Sequence, residues 1–392
     1  MPTMSAQFLL FDTHPIQYRS PVFRELCSRI SGTEILFFNP QFDGNKWWFH
    51  EVGKIPKQNW NLPLMEGYPS QVLNLGQLPL RERYRKLKET LSAVKPKAVV
   101  IFGYYLPEHW MIRMLATRLG IHTIFVGETF QSSNHRWRRP IQTRFRKLFF
   151  SGMDRFVSIG KKNFEYYRSL GISEGAIFPA HYCVDNNFFH ASPTEASAMR
   201  KEWREKHKIP AGAFVSLFVA RLFERKRPGD ALDIHERLTK LKDYRTVFVG
   251  NGPMEESLKE QAGKNKRIHF LGFQDQAATR QAYYGADILL LPSEFETWGL
   301  VANEAAACGR PTLAADSCGV AEDLVVYGET GYVFKKGDCE QAAEMLSKLY
   351  NDPELLQRLG RNASRKVSDE FSVKQFAEAF QNAYRSLSGN KQ

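Results

Sequence analysis

Cysteine is scarce in the 392-residue chain: Cys27, Cys183, Cys308, Cys318 and Cys339 are odd in number and scattered, and no C-x-x-C occurs. Neither a disulfide framework nor a zinc knuckle is supported, and five reduced thiols are expected. Long apolar runs are missing too. The longest candidates, such as "AVVIFGYYL", are strand-length pieces far short of the roughly 20 residues a membrane-spanning helix needs. The start, "MPTMSAQFLLFDTHP", has no basic n-region and reaches Asp12 too early for a signal peptide. These absences set the expectation of a cytoplasmic chain. No D-x-D occurs anywhere, so no divalent metal site of that kind is indicated. Internal repeats at solenoid periods and low-complexity tracts are also absent.

What is present suits a globular protein. Hydrophobic residues make up 43% of the chain and aromatics 13%, enough to fill two cores, and the length implies two domains. The net charge of +12 is unevenly spread. Residues 1–190 hold 25 Lys/Arg against 14 Asp/Glu, a net +11, whereas residues 191–392 hold 29 against 28, a net +1. Such asymmetry points the first half at an anionic surface: lipid headgroups, an acidic acceptor or nucleic acid.

Strand-like runs alternate with helix-period segments throughout. The first series includes "QFLLFDT", "SPVFRELCSRI", "EILFFN", "AVVIFGYY", "WMIRMLATRLG", "HTIFVGE", "RFVSIG" and "KKNFEYYRSLGI"; after a polar linker, a second runs from "FVSLFVARL" through "YRTVFVGNGP" and "DILLLPS" to "GYVFKKG". The alternation predicts βαβ units and parallel sheets. The expected architecture is α/β, with two Rossmann-like doubly wound parallel-sheet domains facing across a cleft. One spans residues 1–190 plus an amphipathic C-terminal helix over 371–392, with Phe376, Phe380 and Tyr384 at i, i+4 and i+8; the other spans 191–370. Open sheets of this kind bind ligands at the carboxyl ends of their strands.

The stretch "SEFETWGLVANEAAACGRP" (Ser293 to Pro311) follows one such strand. Helix-forming residues run on until Gly309 caps them and Pro311 prevents continuation, which places Gly299 at a helix N-terminus. Unpaired N–H groups and the positive end of the helix dipole make that place an anion site. Glu296 lies in the loop before it and Glu304 about a turn and a half further in, so one carboxylate could reach past a diphosphate while the other binds ribose hydroxyls. Taken alone, the same pair also suits a dipole partner and a surface glutamate. Upstream, "VARLFERKRP" sets Arg221 just after a strand and Lys226 at a helix start, two cations where a leaving diphosphate would need them, although a solvated basic turn reads the same way. "VGNGP" (Gly250, Asn251, Gly252, Pro253) is a strand-to-turn junction at which backbone could approach a ligand, or simply a turn.

With these motifs in order, residues 214–335 resemble the C-terminal domain of family 4 retaining glycosyltransferases of the GT-B fold, the glycosyl transferases group 1. The first half resembles that family in pattern, through "DTHPIQYRSPVFREL" and "GISEGAIFPAHYCVDNNFF". The resemblance implies that Arg221 and Lys226 bind the donor diphosphate, that Glu296 touches the transferred sugar, and that Glu304 holds the ribose. Backbone at Trp298, Gly299 and Leu300 would meet the phosphates, and Gly272 and Phe273 would lie by the base. It implies a nucleotide-diphosphate sugar as donor, a UDP- or GDP-sugar, with no cofactor; as the chain has no D-x-D, no metal is expected on the diphosphate, and Arg221 and Lys226 would take its place. It further implies transfer to an acceptor hydroxyl with retention, the proton passing to a diphosphate oxygen. Both glutamates come from one loop-helix unit, unlike the flanking carboxyls of a glycosidase. Two departures stand out. Cys318 replaces one of a pair of glycines, which would narrow the sugar pocket, and Glu128 stands near the place where many members carry a histidine. Glu128 and His14, at the end of the first strand, are candidate acceptor or cleft contacts.

The acceptor is open: a glycan, a glycolipid or another hydroxyl compound. "NHRWRRPIQTRFRKLFF" packs Arg136, Arg138, Arg139, Arg144, Arg146 and Lys147 among Trp137, Phe145, Phe149 and Phe150. This suits an anionic bilayer, which would make the chain peripheral on the inner face of a membrane. It also suits a helix with one solvated basic face and one buried aromatic face, or a nucleic-acid track with stacking rings. "NKWWFH" (Asn45 to His50) is a membrane-facing or acceptor-facing loop, or core. The competing function is a nucleic-acid-binding or nucleic-acid-modifying protein in a GT-B shell; an intact diphosphate pocket favours the transferase.

Overall fold

The computed structural model describes residues 6–40, 63–128 and 139–387. Arg136, Arg138, Trp137 and the aromatic cluster at 45–50 lie outside these residues, and so do the ends of the chain. Two compact units emerge. The first takes in residues 6–40, 63–128, 139–182 and 373–387, the second residues 183–372.

The first unit is built on seven strands: β1 (Phe8–Asp12), β2 (Thr33–Phe37), β3 (Ser70–Val72), β4 (Ala98–Phe102), β5 (His122–Val126), β6 (Arg155–Ser158) and β7 (Ile177–Pro179). They run in the order β3-β2-β1-β4-β5-β6-β7, every neighbouring pair parallel. β1 pairs on both edges, Phe8 facing Thr33 on one side and Ala98 on the other. All five residues of β1, β2 and β4 are buried, as continuous apolar strings such as "FLLFD" and "AVVIF" require when helices cover both faces. The helices are α1 (Ser20–Arg29), α2 (Leu80–Val94), α3 (Pro107–Leu119), α4 (Arg139–Phe150) and α5 (Lys161–Ser169).

The second unit repeats the plan. It contains α6 (Asn186–Phe189), α7 (Pro193–Lys206), β8 (Phe214–Val219), α8 (Pro228–Arg237), β9 (Tyr244–Val249), α9 (Glu255–Ala262), β10 (Ile268–Phe270), α10 (Gln276–Gly285), β11 (Ile288–Leu291), α11 (Leu300–Ala307), β12 (Thr312–Ala315), β13 (Gly331–Phe334), α12 (Cys339–Asn351) and α13 (Pro353–Glu370). Its sheet order is β10-β9-β8-β11-β12-β13, again parallel. In both sheets the strand order reverses beside the first strand, between β1 and β4 and between β8 and β11, and in open α/β sheets ligands bind at the carboxyl ends beside such a reversal. α7 opens with a capping box, Ser192 Oγ accepting from the Glu195 N–H and Glu195 reaching back to the Ser192 N–H. The segment around α6 packs with this unit: the Phe189 carbonyl accepts the Tyr284 hydroxyl at 2.8 Å.

The last helix, α14 (Val373–Ser386), returns to the first unit. Its apolar stripe is buried, with Phe380 against Phe102 and Tyr384 against Phe8, while Arg155 Nε donates to Ser386 Oγ at 2.7 Å. Phe380 is fully buried, so Phe380→Ala removes a ring and leaves a cavity costing about 3–5 kcal/mol. We predict that this substitution, or truncation at residue 372, lowers the first unit's melting temperature by roughly 10 °C or more in calorimetry. An unchanged transition would show that α14 is dispensable.

Candidate functional site

The densest candidate site lies at the carboxyl ends of β8, β9 and β11 in the second unit. β11 runs into a loop and then into α11, whose N-cap is Gly299 in the left-handed region (φ 109°), a residue with no side chain to cap the first turn. The N-terminus of an eight-residue helix is thus left to backbone N–H groups and the positive end of its dipole. Leu300 is its first residue. Trp298 is buried, its indole N–H donating to Asn303 Oδ1 at 2.8 Å, so this ring anchors α11 from inside.

The loop is clamped from two directions. From below, residues 318–320 run alongside it: the Gly319 N–H donates to the Glu296 carbonyl and the Val320 N–H to the Trp298 carbonyl, each at 2.9 Å. A side chain at Gly319 would run into the Thr297 carbonyl. Cys318 points its thiol away, toward the Leu291 carbonyl at 3.7 Å, fully buried. From the side, the Glu294 N–H donates to the Arg225 carbonyl at 2.8 Å. The Glu294 carboxylate then takes Arg227 at 3.0 Å and Lys336 at 2.6 Å. These bonds, Lys336 foremost, hold its carboxyl below the usual carboxylate range.

Two of the predicted residues meet directly. Lys226, closing a short 3-10 turn after β8, contacts Glu296 Oε2 through Nζ, both side chains about six-sevenths buried. Arg221 stands two residues beyond β8, partly buried, in the loop that carries Lys226. The same loop is pressed against "VGNGP". The Leu222 N–H donates to the Asn251 carbonyl at 2.9 Å, and added side chains at Gly250 and Gly252 would strike the Ala220 and Leu222 backbone. These glycines therefore let two loops touch, which accounts for their pattern without a ligand. The Gly272 carbonyl accepts the Gly250 N–H at 2.8 Å, and Phe273 follows in the same loop, partly buried.

Glu304 sits on the second turn of α11, partly buried, and Tyr283 of α10 donates to its Oε2 at 2.7 Å. Burial pushes this carboxyl up to about 7 from its ordinary 4.5, with the Tyr283 bond opposing the rise. Tyr283 is buried with its phenol held far above its usual range, so it stays a donor. Four buried polar atoms without a partner among the described residues lie at or just past strand ends: Asp12 Oδ2 and Ser158 Oγ in the first unit, Asn251 Oδ1 and Ser293 Oγ in the second. A bound ligand is one way to satisfy such groups.

The first unit holds the other predicted residues. His14 follows β1, its Nδ1 2.8 Å from Thr13 Oγ1, and burial pulls its pKa down to about 4, leaving a neutral imidazole. Glu128 follows β5 and accepts the Tyr182 hydroxyl at 2.7 Å. Of the basic segment, Arg144 and Lys147 are exposed, whereas Arg146 turns inward to donate to the Tyr166 hydroxyl at 2.7 Å, over the rings of Tyr104 and Tyr166. Arg139 opens α4. Phe149 and Phe150 are core residues, while Phe145 and Leu148 are 49% and 60% exposed.

Sequence reasoning did not single out Tyr283, Glu294, Arg227, Lys336 or Arg19. Glu294, two residues before Glu296, carried the one available signal, an acid in a turn already crowded with ligand candidates.

Known proteins resemble the chain in sequence and in fold. Residues 199–366 match the family model described as Glycosyl transferases group 1, so that stretch is a domain of that type. N-acetyl-alpha-D-glucosaminyl L-malate synthase of Bacillus anthracis is 29% identical over 185 residues, 46% of this chain and 48% of its own. The chain spans about half the length of the curated relatives it matches. Among solved structures, Anabaena Alr3699/HepE in complex with UDP superposes with a TM-score of 0.76 at 17% identity, covering 97% of this chain and 100% of that one. WaaG, a glycosyltransferase involved in lipopolysaccharide biosynthesis, gives a TM-score of 0.68 at 16% identity, covering 98% and 100%. The fold is thus the two-domain α/β fold of GT-B glycosyltransferases, as the sequence pattern predicted.

A carboxyl with a raised native pKa lends stability below its unfolded value that is lost as pH rises through the folded value. Replacing it with glutamine removes that dependence. The melting temperature of wild type relative to Glu304→Gln is therefore expected to fall between about pH 5 and pH 7 and to level off above. A difference independent of pH would mean that Glu304 is not held up in the native state.

Proposed function

We propose that the protein is a retaining, metal-independent glycosyltransferase that moves a sugar from a nucleotide-diphosphate donor to an acceptor hydroxyl, in surface glycan or glycolipid biosynthesis. The observation that carries this reading is the convergence of Lys226, Glu296 and the uncapped start of α11 on one loop, with Glu304 on the same helix. Lys226, Arg221 and the N–H groups at Gly299 and Leu300 would take the diphosphate and stabilise the charge that develops as it leaves. Glu296 would bind hydroxyls of the transferred sugar and Glu304 those of the ribose. Asn251, whose Oδ1 has no partner among the described residues, and the loop at Gly272 and Phe273 would lie by the nucleotide. The acceptor hydroxyl would attack the anomeric carbon as the bond to the diphosphate breaks, its proton passing to a diphosphate oxygen.

Several observations support a uridine donor: Alr3699/HepE has been captured with UDP and with UDP-glucose, and its fold matches over nearly the whole chain. In a thermal-shift series with UDP, GDP and ADP, UDP at 100 times its Kd should raise the second unit's melting temperature by about 5–10 °C. Glu304→Ala should halve that shift or more, and excess EDTA should leave it unchanged. No response to any nucleotide, or one abolished by EDTA, would overturn the assignment.

The first unit would serve the acceptor. Arg144 and Lys147 beside exposed Phe145 and Leu148 suit an anionic bilayer carrying a membrane-linked acceptor. Vesicles with 30% anionic lipid should pull the protein down in a salt-sensitive way, and Phe145→Asp with Leu148→Asp should release it; equal binding by the double variant would remove this surface from the account.

A further inference from the structure

Glu304 is an acid in an apolar place. It stands on α11 among buried Ala302, Ala305, Ala306 and Ala307, and its carboxyl has one hydrogen bond among the described residues, the bond of 2.7 Å that Oε2 accepts from Tyr283. No cation offsets its burial. Of the elements packed against α11, α6, β11 and β12 carry no titratable residue, and α13 turns Leu355, Leu359, Gly360, Ala363 and Val367 inward. Cys308, just past the end of α11, has its thiol pushed far above its usual range by burial, and Arg310 and Arg280 bear on that thiol rather than on Glu304. Tyr283 is therefore the group that opposes the rise of the Glu304 carboxyl to about 7.

Tyr283 lies fully buried on α10, its ring edge-on to Phe189 at 6.3 Å. Two other buried phenols, Tyr284 and Tyr167, donate to backbone carbonyls, at 2.8 and 3.1 Å. A backbone acceptor thus suffices for a buried phenol, whereas a carboxylate without a cation is a costly partner if packing is all it serves. The geometry suits a ligand instead. An ionised carboxylate offers about four acceptor sites, of which Tyr283 takes one on Oε2, and Oε1 has no partner among the described residues. A vicinal diol needs two.

We propose that Tyr283 is a positioning residue for nucleotide recognition: by holding Oε2 of Glu304 it fixes the carboxylate in one orientation, leaves acceptor sites for both ribose hydroxyls, and so sets the preference for a ribonucleotide over its 2′-deoxy form. The inference rests on the donor site proposed above and adds the residue that orders it. Without the hydroxyl the carboxyl would be free to turn and would take up a proton more readily, and a neutral acid accepts weaker hydrogen bonds than a carboxylate.

The test is isothermal titration calorimetry of the full chain with UDP and 2′-deoxy-UDP at about pH 6, 7 and 8, for wild type and for Tyr283→Phe, which keeps the ring and removes the hydroxyl. The ratio of the two affinities is the readout, because titration of the phosphates and the cations beside them act on both nucleotides alike. In wild type, UDP should bind about ten times more tightly than 2′-deoxy-UDP at the highest pH. That preference should shrink about threefold or more at the lowest, as Glu304 takes up its proton. Tyr283→Phe should cut the preference at neutral pH about threefold or more and move its rise to higher pH. A merely structural Tyr283 would weaken both nucleotides alike and leave the ratio and its pH profile in place. Should Tyr283→Phe not fold, a crystal structure of the wild type with UDP decides: a phenol still on Oε2 with a ribose hydroxyl on Oε1 supports the inference, and a phenol that has left the carboxyl overturns it. A wild-type ratio near one, a ratio flat across the pH series, or one unmoved by Tyr283→Phe would overturn this inference alone, since UDP would still bind. Binding of neither nucleotide would overturn it together with the donor assignment.

Discussion

Backbone contact between loops is the constraint from which the second unit's site follows. The strap at 318–320 hydrogen-bonds along the loop at 296–298, and the turn at 250–252 lies against the backbone of 220–222. Both approaches are closer than any side chain permits, so Gly319, Gly250 and Gly252 are required before any ligand is considered. Once the loops are so placed, Lys226 and Glu296 cannot avoid one another, and the first turn of α11 is aimed by the buried Trp298 rather than by a capping side chain.

Electrostatics then add a second layer. Lys226 is matched by Glu296, and Arg227 and Lys336 by Glu294. Such pairing keeps cations tolerable in a partly buried place, since a charge left without its partner there costs several kcal/mol. It also links the two ends of the proposed donor. A diphosphate drawing Lys226 toward itself would release Glu296 to the sugar, so phosphate and sugar contacts would form together. In the first unit Arg19 is enclosed by acid, whereas Arg144 and Lys147 stand exposed on α4.

Much of the fold was legible because parallel strands buried on both faces leave continuous apolar strings, and the β1, β4, β8 and β11 strings are unmistakable. The start of α11 was legible for a related reason, as Gly299, Gly309 and Pro311 are local signals of where a helix begins and ends. What stayed hidden depends on distant partners. Tyr283 reaches Glu304 from another helix, Glu294 finds Lys336 across the sheet, and Arg19 is an ordinary surface residue until the fold sets Asp12 beneath it. Arg146 shows the limit most clearly: nothing in the basic run marks it as a residue that turns inward to Tyr166. The glycines of "VGNGP" were conspicuous, yet what they serve, the approach of a second loop, is invisible without it.

The most direct test of the central claim is a crystal structure of the full chain with UDP. The account predicts the diphosphate at the Gly299–Leu300 N–H groups with Lys226 moved from Glu296 onto a phosphate oxygen, and the ribose within hydrogen-bond reach of Glu304. A nucleotide bound elsewhere, or one bound here with Lys226 still on Glu296 and the phosphates away from α11, would contradict it.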